Sequence, residues 1–371
     1  MHILHTVKKR GWSGETNSLL MLATGQAARG HRVTVAAKAT SETARRARAA
    51  GLAVIEVSFD RPAHRIPVIA DGGKLLRFLR EQRVDVVHCH ASFDHWVMVL
   101  LARRAGAVLV RSKRNRKTIQ RHLLNRWLYR RTDQIVAISA AVQQDLRATG
   151  FIAGEPLVIQ NGIVLERFRA SDRERARAEL GWRTPVLLYV GRISERKRID
   201  HLLAASDIVR RTIPDLETVI AGGGKKQIAQ LRARADEAHT HFLGKRDDVP
   251  RLLCAADVLC YPPRDEAFGL VPLEAMASGC PVVLSDEPGF RQFAIHDVNA
   301  LLVPDGAVDG LAAAITRVLR DSELAARLRH EGLKTAEQFS VDATVDRYLE
   351  LYRTLRGPAM GGERDHAYRI G

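Results

Sequence analysis

The sequence predicts an α/β protein made of two successive doubly wound domains, on three observations. Short apolar runs alternate with helical patterns along the whole chain, the signature of parallel strands joined by helical crossovers. Two such series are present, separated by a polar stretch from Glu166 to Arg183. At 371 residues with 46% hydrophobic content, the chain is long enough for two cores of ordinary size.

In the first series the strands are expected at His2 to Val7, Arg32 to Ala36, Val54 to Val57, Val84 to Cys89, Ala107 to Val110, Gln134 to Ile138 and Pro156 to Ile159. Each is a β-branched or aliphatic run closed by a charged or glycine-containing turn. Helical periodicity fills the gaps, for example Glu15 to Arg29 and Gly73 to Gln82. The second series places strands at Pro185 to Val190, Leu216 to Ala221, Thr240 to Leu243, Asp257 to Tyr261, Pro281 to Leu284 and Ala300 to Val303. Asp309 to Leu319, Glu323 to Phe339 and Val341 to Leu355 then read as consecutive helices. Open α/β sheets bind ligands at the carboxyl ends of their strands, so the functional loops are expected to face one another across a cleft between the domains. The expected boundaries are 1–165, 166–340, a helix at 341–356 packing back on the first domain, and a disordered glycine-rich tail at 357–371.

The most informative segment runs from Asp265 to Gly279, with Glu266 and Glu274 eight positions apart. Between them a glycine turn leads into a helix. Phe268 and Gly269 allow close backbone approach, Pro272 suits the first helical turn where its missing N–H costs nothing, and Glu274 lies on the helix proper. A helix start attracts an anion, whereas two carboxylates repel one and suit hydroxyl groups instead. A diphosphate between two polyols satisfies both demands, which describes a sugar nucleotide.

Other loops after candidate strands carry related chemistry. Gly191, Arg192 and Lys197 combine a glycine turn, an arginine fork and a lysine point charge, a set suited to clamping a diphosphate. Gly222, Gly223 and Gly224 allow approach of a flat base or a phosphate. Gly244, Lys245 and Arg246 follow the third strand of this series. In the first half, the loop from Gly11 to Glu15 puts Gly14 where its N–H could face a phosphate, and His90 ends a strand at the expected cleft rim, as a structural or a catalytic imidazole.

These elements, in this order, resemble the retaining GT-B glycosyltransferases of glycosyltransferase family 4. The matching features are E-x7-E at Glu266 and Glu274, G-R-x4-K at Gly191, Arg192 and Lys197, the glycines from Gly222, the loop ending in Gly14-Glu15, H-x-H ending at His90, and Asn161-Gly162-Ile163. They cover roughly residues 1 to 356. The resemblance implies that Arg192 and Lys197 bind the donor diphosphate, Glu274 the ribose, and Glu266 the transferred sugar. It implies backbone contacts near Phe268, Gly269 and Leu270, a base pocket near Arg246, closure by Gly14, and His90 reaching the sugar from the acceptor side. His90, Arg192, Lys197 and Glu266 are thus the expected catalytic set, acting by front-face attack. No metal or cofactor is implied beyond the nucleotide-sugar donor, with a UDP-sugar favoured over a GDP- or ADP-sugar. Pro288 to Gln292 and Asn299-Ala300 depart from the family pattern.

All of the +16 formal charge falls in residues 1–165, with 27 Lys and Arg against 11 Asp and Glu; the remainder holds 31 of each sign. Nine of the cations lie between Arg111 and Arg131 with no acid among them, beginning Arg111, Lys113, Arg114, Arg116, Lys117 and Arg121. Ile119, Leu123, Leu124, Trp127 and Leu128 form one helical face beneath them, able to pack on the domain or to seat on a membrane. Since the family's N-terminal domain holds the acceptor, an anionic cell-envelope glycan or glycolipid, such as lipopolysaccharide core, is the expected partner. The chain is expected in the cytoplasm, peripheral on the inner membrane surface. Cys89, Cys254, Cys260 and Cys280 are dispersed and read as reduced packing residues. Rival readings are nucleic-acid binding through the basic half, for which no recognition motif is present, and a GT-B epimerase, hydrolase or phosphorylase.

Overall fold

The computed structural model describes residues 1–357 apart from 9, 10, 12, 59–64, 117, 118, 151, 153, 170 and 171, and describes the backbone alone of 65–70, 225 and 226. The tail expected to be disordered lies, from residue 358 onward, outside the described residues. The chain divides into two compact units: Met1–Ser112, His122–Ile135 and Val345–Gly371 form the first, and Lys113–Arg121 and Val136–Thr344 the second.

The first series of elements is β1 (His2–Thr6), α1 (Gly14–Ala28), β2 (Arg32–Ala37), α2 (Glu42–Ala49), β3 (Ala53–Glu56), α3 (Arg65–Glu81), β4 (Val86–Cys89), α4 (Ser92–Leu101), β5 (Val108–Lys113), α5 (Leu123–Arg130), β6 (Gln134–Ala137), α6 (Ala140–Arg147) and β7 (Leu157–Val158). Its strands form one sheet in the order β3-β2-β1-β4-β5-β6-β7. The order reverses beside β1, where β1 pairs in parallel with both β2 and β4. Val7, Leu19, Val33, Val35 and Ala44 are fully or nearly fully buried between sheet and helices. Each such valine or leucine side chain contributes about 1.5–3 kcal/mol by leaving water.

The second series is α7 (Leu165–Phe168), α8 (Arg173–Leu180), β8 (Val186–Val190), α9 (Ile199–Arg210), β9 (Glu217–Ala221), α10 (Lys225–Arg232), β10 (Thr240–Gly244), α11 (Val249–Ala255), β11 (Val258–Tyr261), α12 (Leu270–Ala277), β12 (Val282–Ser285), β13 (Leu301–Val303), α13 (Val308–Arg320), α14 (Ser322–Glu337) and α15 (Val341–Arg356). The sheet order is β10-β9-β8-β11-β12-β13, again reversing where the first strand of the series has neighbours on both sides. Both sheets are parallel and doubly wound, so the two Rossmann-like domains expected from the alternation of apolar runs are present.

Three segments differ from the sequence reading. α3 starts at Arg65, well before Gly73, because Leu75 and Leu79 are completely buried and anchor a helix that runs through the glycine pair. The polar stretch after Glu166 contains α7 and α8, with Ala176 packed on Cys254 and Ala255, and Arg173 and Arg177 paired with Asp257 at 2.5 and 2.9 Å. The apolar face from Ile119 to Leu128 is not one helix: α5 begins at Leu123, so only the last four residues share it. α15 packs its tyrosines on the first unit, where Tyr352 Oη lies 2.6 Å from His88 Nδ1 and Tyr348 Oη lies 2.8 Å from Ser112 Oγ. All four cysteines are buried free thiols.

Candidate active site

The clearest chemical constellation lies at the carboxyl ends of β8 and β11, which are adjacent parallel strands. After β8 the chain turns at Gly191, leaves Arg192 exposed, buries Ile193, and makes a short 3-10 turn at Glu195–Lys197 before α9. That turn brings Lys197 back toward the sheet, where only 8% of it is exposed. After β11 the loop passes through Asp265 in the left-handed region (φ 56°), reaches Glu266, buries Ala267 and Phe268, and enters α12.

The two loops are joined directly. Lys197 Nζ lies 2.5 Å from Glu266 Oε2 and 2.5 Å from the Tyr261 hydroxyl. The Arg196 guanidinium donates to the carbonyl of Asp265 at 2.7 Å, and the N–H of Arg264 to the carbonyl of Arg196 at 2.8 Å. The Arg192 side chain makes no hydrogen bond or ion pair among the described residues, so the same loop also carries an exposed guanidinium fork. Charge-assisted bonds to a diphosphate are what this arrangement can offer.

α12 supplies the opposite kind of group. Its N-cap is Gly269, with φ 87° and no side chain to satisfy the first N–H groups of the helix. Only glycine fits: a Cβ here would sit 2.4 Å from Phe290, besides the strain of a positive φ. One turn on, Glu274 is half-buried and has no side-chain partner among the described residues. Burial pushes its carboxyl up to about 7, opposed by the charge of Arg167. An uncapped helix start next to an unpartnered carboxyl can hold an anion and a pair of hydroxyls.

The glycine loop after β9 braces this site from below. A Cβ on Gly222 would come within 1.7 Å of the Gly191 carbonyl oxygen, so the close approach that this glycine permits is to the clamp loop itself. The N–H of Ile193 donates to the carbonyl of Gly223 at 2.9 Å. Arg246, expected near a base, forms a two-bond fork with Asp248 at 2.7 and 2.6 Å on the surface.

Sequence reasoning missed three residues here. Tyr261 closes β11 and touches Lys197, while Tyr189 on β8 stacks on Tyr261 with ring centres 5.5 Å apart. Glu287 is 7% exposed and accepts the backbone N–H groups of Asp265 and Glu266, bracing the left-handed turn; burial still raises its carboxyl. A tyrosine at the mouth of each of two neighbouring strands was the only signal available in the sequence.

In the first unit, Gly14 is the first residue of α1, behind a capping box of Ser13 and Thr16, with open space around it. His90 follows β4 and is 2% exposed. Its Nε2 lies 2.9 Å from His5 Nδ1, and His5 Nε2 lies 2.8 Å from Gln26 Oε1. Asp94 fixes the backbone at this point by accepting from the N–H groups of His90 and Ala91 and from Thr6 Oγ1, and burial lifts its carboxyl to about 6. His5, His88 and His90 offer nitrogens within 4.8 Å of one another. Both ring nitrogens of His5 and of His88 face protein partners, so the trio is a hydrogen-bonded cluster in this geometry.

The basic stretch is less uniform than its sequence. Arg111, Lys113 and Arg114 are buried; the Arg111 guanidinium donates to the Cys89 carbonyl at 3.2 Å. Arg116 pairs with Asp145 at 3.0 Å, Arg121 reaches the Ala148 carbonyl, and Lys117 lies outside the described residues. On α5, by contrast, Leu123 and Leu124 are 81% and 65% exposed, and Trp127 stacks on Trp96 with ring centres 6.3 Å apart.

Comparison with known proteins places the chain in a family. Residues 12–167 match the family model of Glycosyltransferase Family 4, and residues 172–335 that of Glycosyl transferases group 1. The chain is 36% identical over 222 residues to the D-inositol 3-phosphate glycosyltransferase of Saccharomonospora viridis, covering 54% of this chain and about half (52%) of that relative's length. It is 31% identical over 299 residues to a glycogen synthase of Mycobacterium tuberculosis, covering 76% of this chain and 67% of the relative. Its fold matches that of HepE from Anabaena, a structure in complex with UDP-glucose, with a TM-score of 0.82 at 22% identity over 95% of this chain and 99% of that one. With two Rossmann-like domains, the matched family models and the paired glutamates at a helix start, the chain belongs to family 4 of the GT-B glycosyltransferases.

Proposed function

We propose that this glycosyltransferase moves a sugar, with retention of anomeric configuration, from a nucleoside-diphosphate donor to an anionic cell-envelope glycan or glycolipid such as lipopolysaccharide core. The observation that carries the donor half is the Lys197–Glu266 pair, which joins the loop after β8, itself carrying exposed Arg192, to the loop that leads into the uncapped start of α12. Arg192 and Lys197 receive the diphosphate and stabilise the charge that grows on it as the bond to the sugar breaks. Glu274 accepts hydrogen bonds from the ribose hydroxyls and Glu266 from those of the sugar. The acceptor oxygen forms its bond to the anomeric carbon on the face that the phosphate leaves, and its proton passes to the departing phosphate oxygen. In this reading the lysine and arginine supply positive charge that a divalent ion would otherwise provide, and His90 and Gly14 act from the acceptor-binding domain. A UDP-sugar is the favoured donor, in keeping with the UDP-glucose held by the Anabaena protein.

The excess positive charge of residues 1–165 supports an anionic acceptor, as does the phosphorylated polyol in the name of the Saccharomonospora relative. No helix among the described residues is long and apolar enough to cross a membrane. The exposed leucines of α5, flanked by Arg126 and Arg130, instead favour peripheral seating on an anionic bilayer. The test is thermal stabilisation by UDP-, GDP- and ADP-sugars, followed by nucleotide release with and without acceptor. Stabilisation by one of them and acceptor-dependent release are expected. Indifference to all three would overturn the donor assignment, and release unaffected by any acceptor would favour a hydrolase or epimerase.

A further inference from the structure

The geometry points to Tyr261 as a positioning residue for the donor site, and we infer that its hydroxyl aims the Lys197 ammonium at the diphosphate. This rests on the donor reading given above. A lysine has three N–H donors on a flexible four-carbon stem, so its charge has no fixed direction of its own. Here Glu266 Oε2 and the Tyr261 hydroxyl oxygen each stand 2.5 Å from Lys197 Nζ. Two contacts fix the ammonium, and the third donor is left for a ligand.

Tyr261 is itself held rigidly. It is 4% exposed, stacks on the fully buried Tyr189 with an interplanar angle of 14°, and meets the Phe290 ring edge-on at 6.1 Å. Tyr189 in turn donates its hydroxyl to the carbonyl of Arg192 at 3.1 Å. The stacked tyrosines therefore reach both cations of the clamp, one at the Lys197 ammonium and the other at the Arg192 backbone. A neutral phenol suits this place better than a second carboxylate would. It accepts from the ammonium without adding negative charge where a diphosphate must sit.

Tyr261→Phe keeps the ring, its stacking and its volume, and removes only the hydroxyl. The experiment measures binding of UDP, GDP and ADP and of the matching monophosphates by calorimetry, in the wild type, Tyr261→Phe, Lys197→Ala and the double variant. The expected result is about a tenfold loss of diphosphate affinity in Tyr261→Phe, as for one hydrogen bond to a charged group. Monophosphate affinity should stay within about twofold, and in the Lys197→Ala background Tyr261→Phe should have little further effect. Unchanged diphosphate affinity in Tyr261→Phe would overturn the inference while leaving the donor site intact. So would an equal loss for monophosphates, or a full additional loss in the double variant. If none of the three diphosphates binds the wild type, the donor reading fails first and the role of Tyr261 with it.

Discussion

Lys197 donates to Glu266 across 2.5 Å and so ties the loop after β8 to the loop after β11 at the point where two strand ends lie side by side. The side chains are only 10% and 12% exposed. Removing one partner strands the other charge, which costs about 3 kcal/mol for a largely buried pair. Lys197→Ala and Glu266→Ala are each expected to lower stability by that order, while Lys197→Met combined with Glu266→Gln loses less than the sum. Sugar transfer should fall about a hundredfold or more in every one of them, since the lysine variants no longer meet the charge on the leaving phosphate and the Glu266 variants no longer hold the sugar hydroxyls. Chemical denaturation beside a nucleotide-release assay checks both halves.

Glu274 gives the protein a pH dependence of definite sign. Its carboxyl stands at about 7 in the fold against an ordinary 4.5, so the fold keeps a proton that the unfolded chain releases. Stability contributed by this group is therefore intact below about 4.5, declines as pH rises to about 7, and stays low above it. Glu274→Gln should be about 3 kcal/mol more stable than the wild type at pH 8 and no different at pH 4. Donor affinity should run the other way, rising with pH up to about 7 as the carboxylate becomes able to accept from the ribose. Urea melts and nucleotide titrations at pH 5.5 and 8 measure the two effects.

Two glycines of the expected donor site should separate cleanly. Gly222→Ala forces a Cβ to within 1.7 Å of the Gly191 carbonyl oxygen and should cost about 3 kcal/mol or more. Gly14→Ala meets nothing within 4 Å at the start of α1 and should leave stability equal or higher by up to about 1 kcal/mol. Any loss of transfer in Gly14→Ala then reports on ligand contact. Thermal melts of both variants decide this.

Tyr352→Phe removes the hydroxyl that faces His88 Nδ1 at 2.6 Å in a fully buried setting. A loss of about 1–3 kcal/mol is expected from the unsatisfied partner. Limited proteolysis should cut α15 of this variant sooner than that of the wild type.

Leu123→Glu with Leu124→Glu tests the exposed end of α5. Both side chains are mostly in solvent, so stability should change by no more than about 0.5 kcal/mol. Co-sedimentation with vesicles rich in anionic lipid should fall severalfold, and equal sedimentation of wild type and variant would rule out α5 as the docking element.

All thirteen strands among the described residues were legible, because a buried parallel strand must be an apolar run of limited length and its loops must carry polar turns. Helix limits were less so. Nothing local separates Pro67 and the glycine pair of α3 from a turn, and their helical state depends on Leu75 and Leu79 meeting the sheet. Likewise the charge run from Arg111 reads as a surface patch, yet strand β5 carries its first residues into the interior.

The sequence by itself determined the class of fold, the family, and the residues that bring cations and carboxylates to the ends of β8 and β11, since spacing within a loop is a local property. Only the tertiary structure decided what those residues touch. That Lys197 meets Glu266 and Tyr261, that Gly222 makes room for Gly191, and that His90 lies against His5 all depend on parallel register between strands far apart in sequence. Register is set by packing of the whole sheet, and no short motif records it.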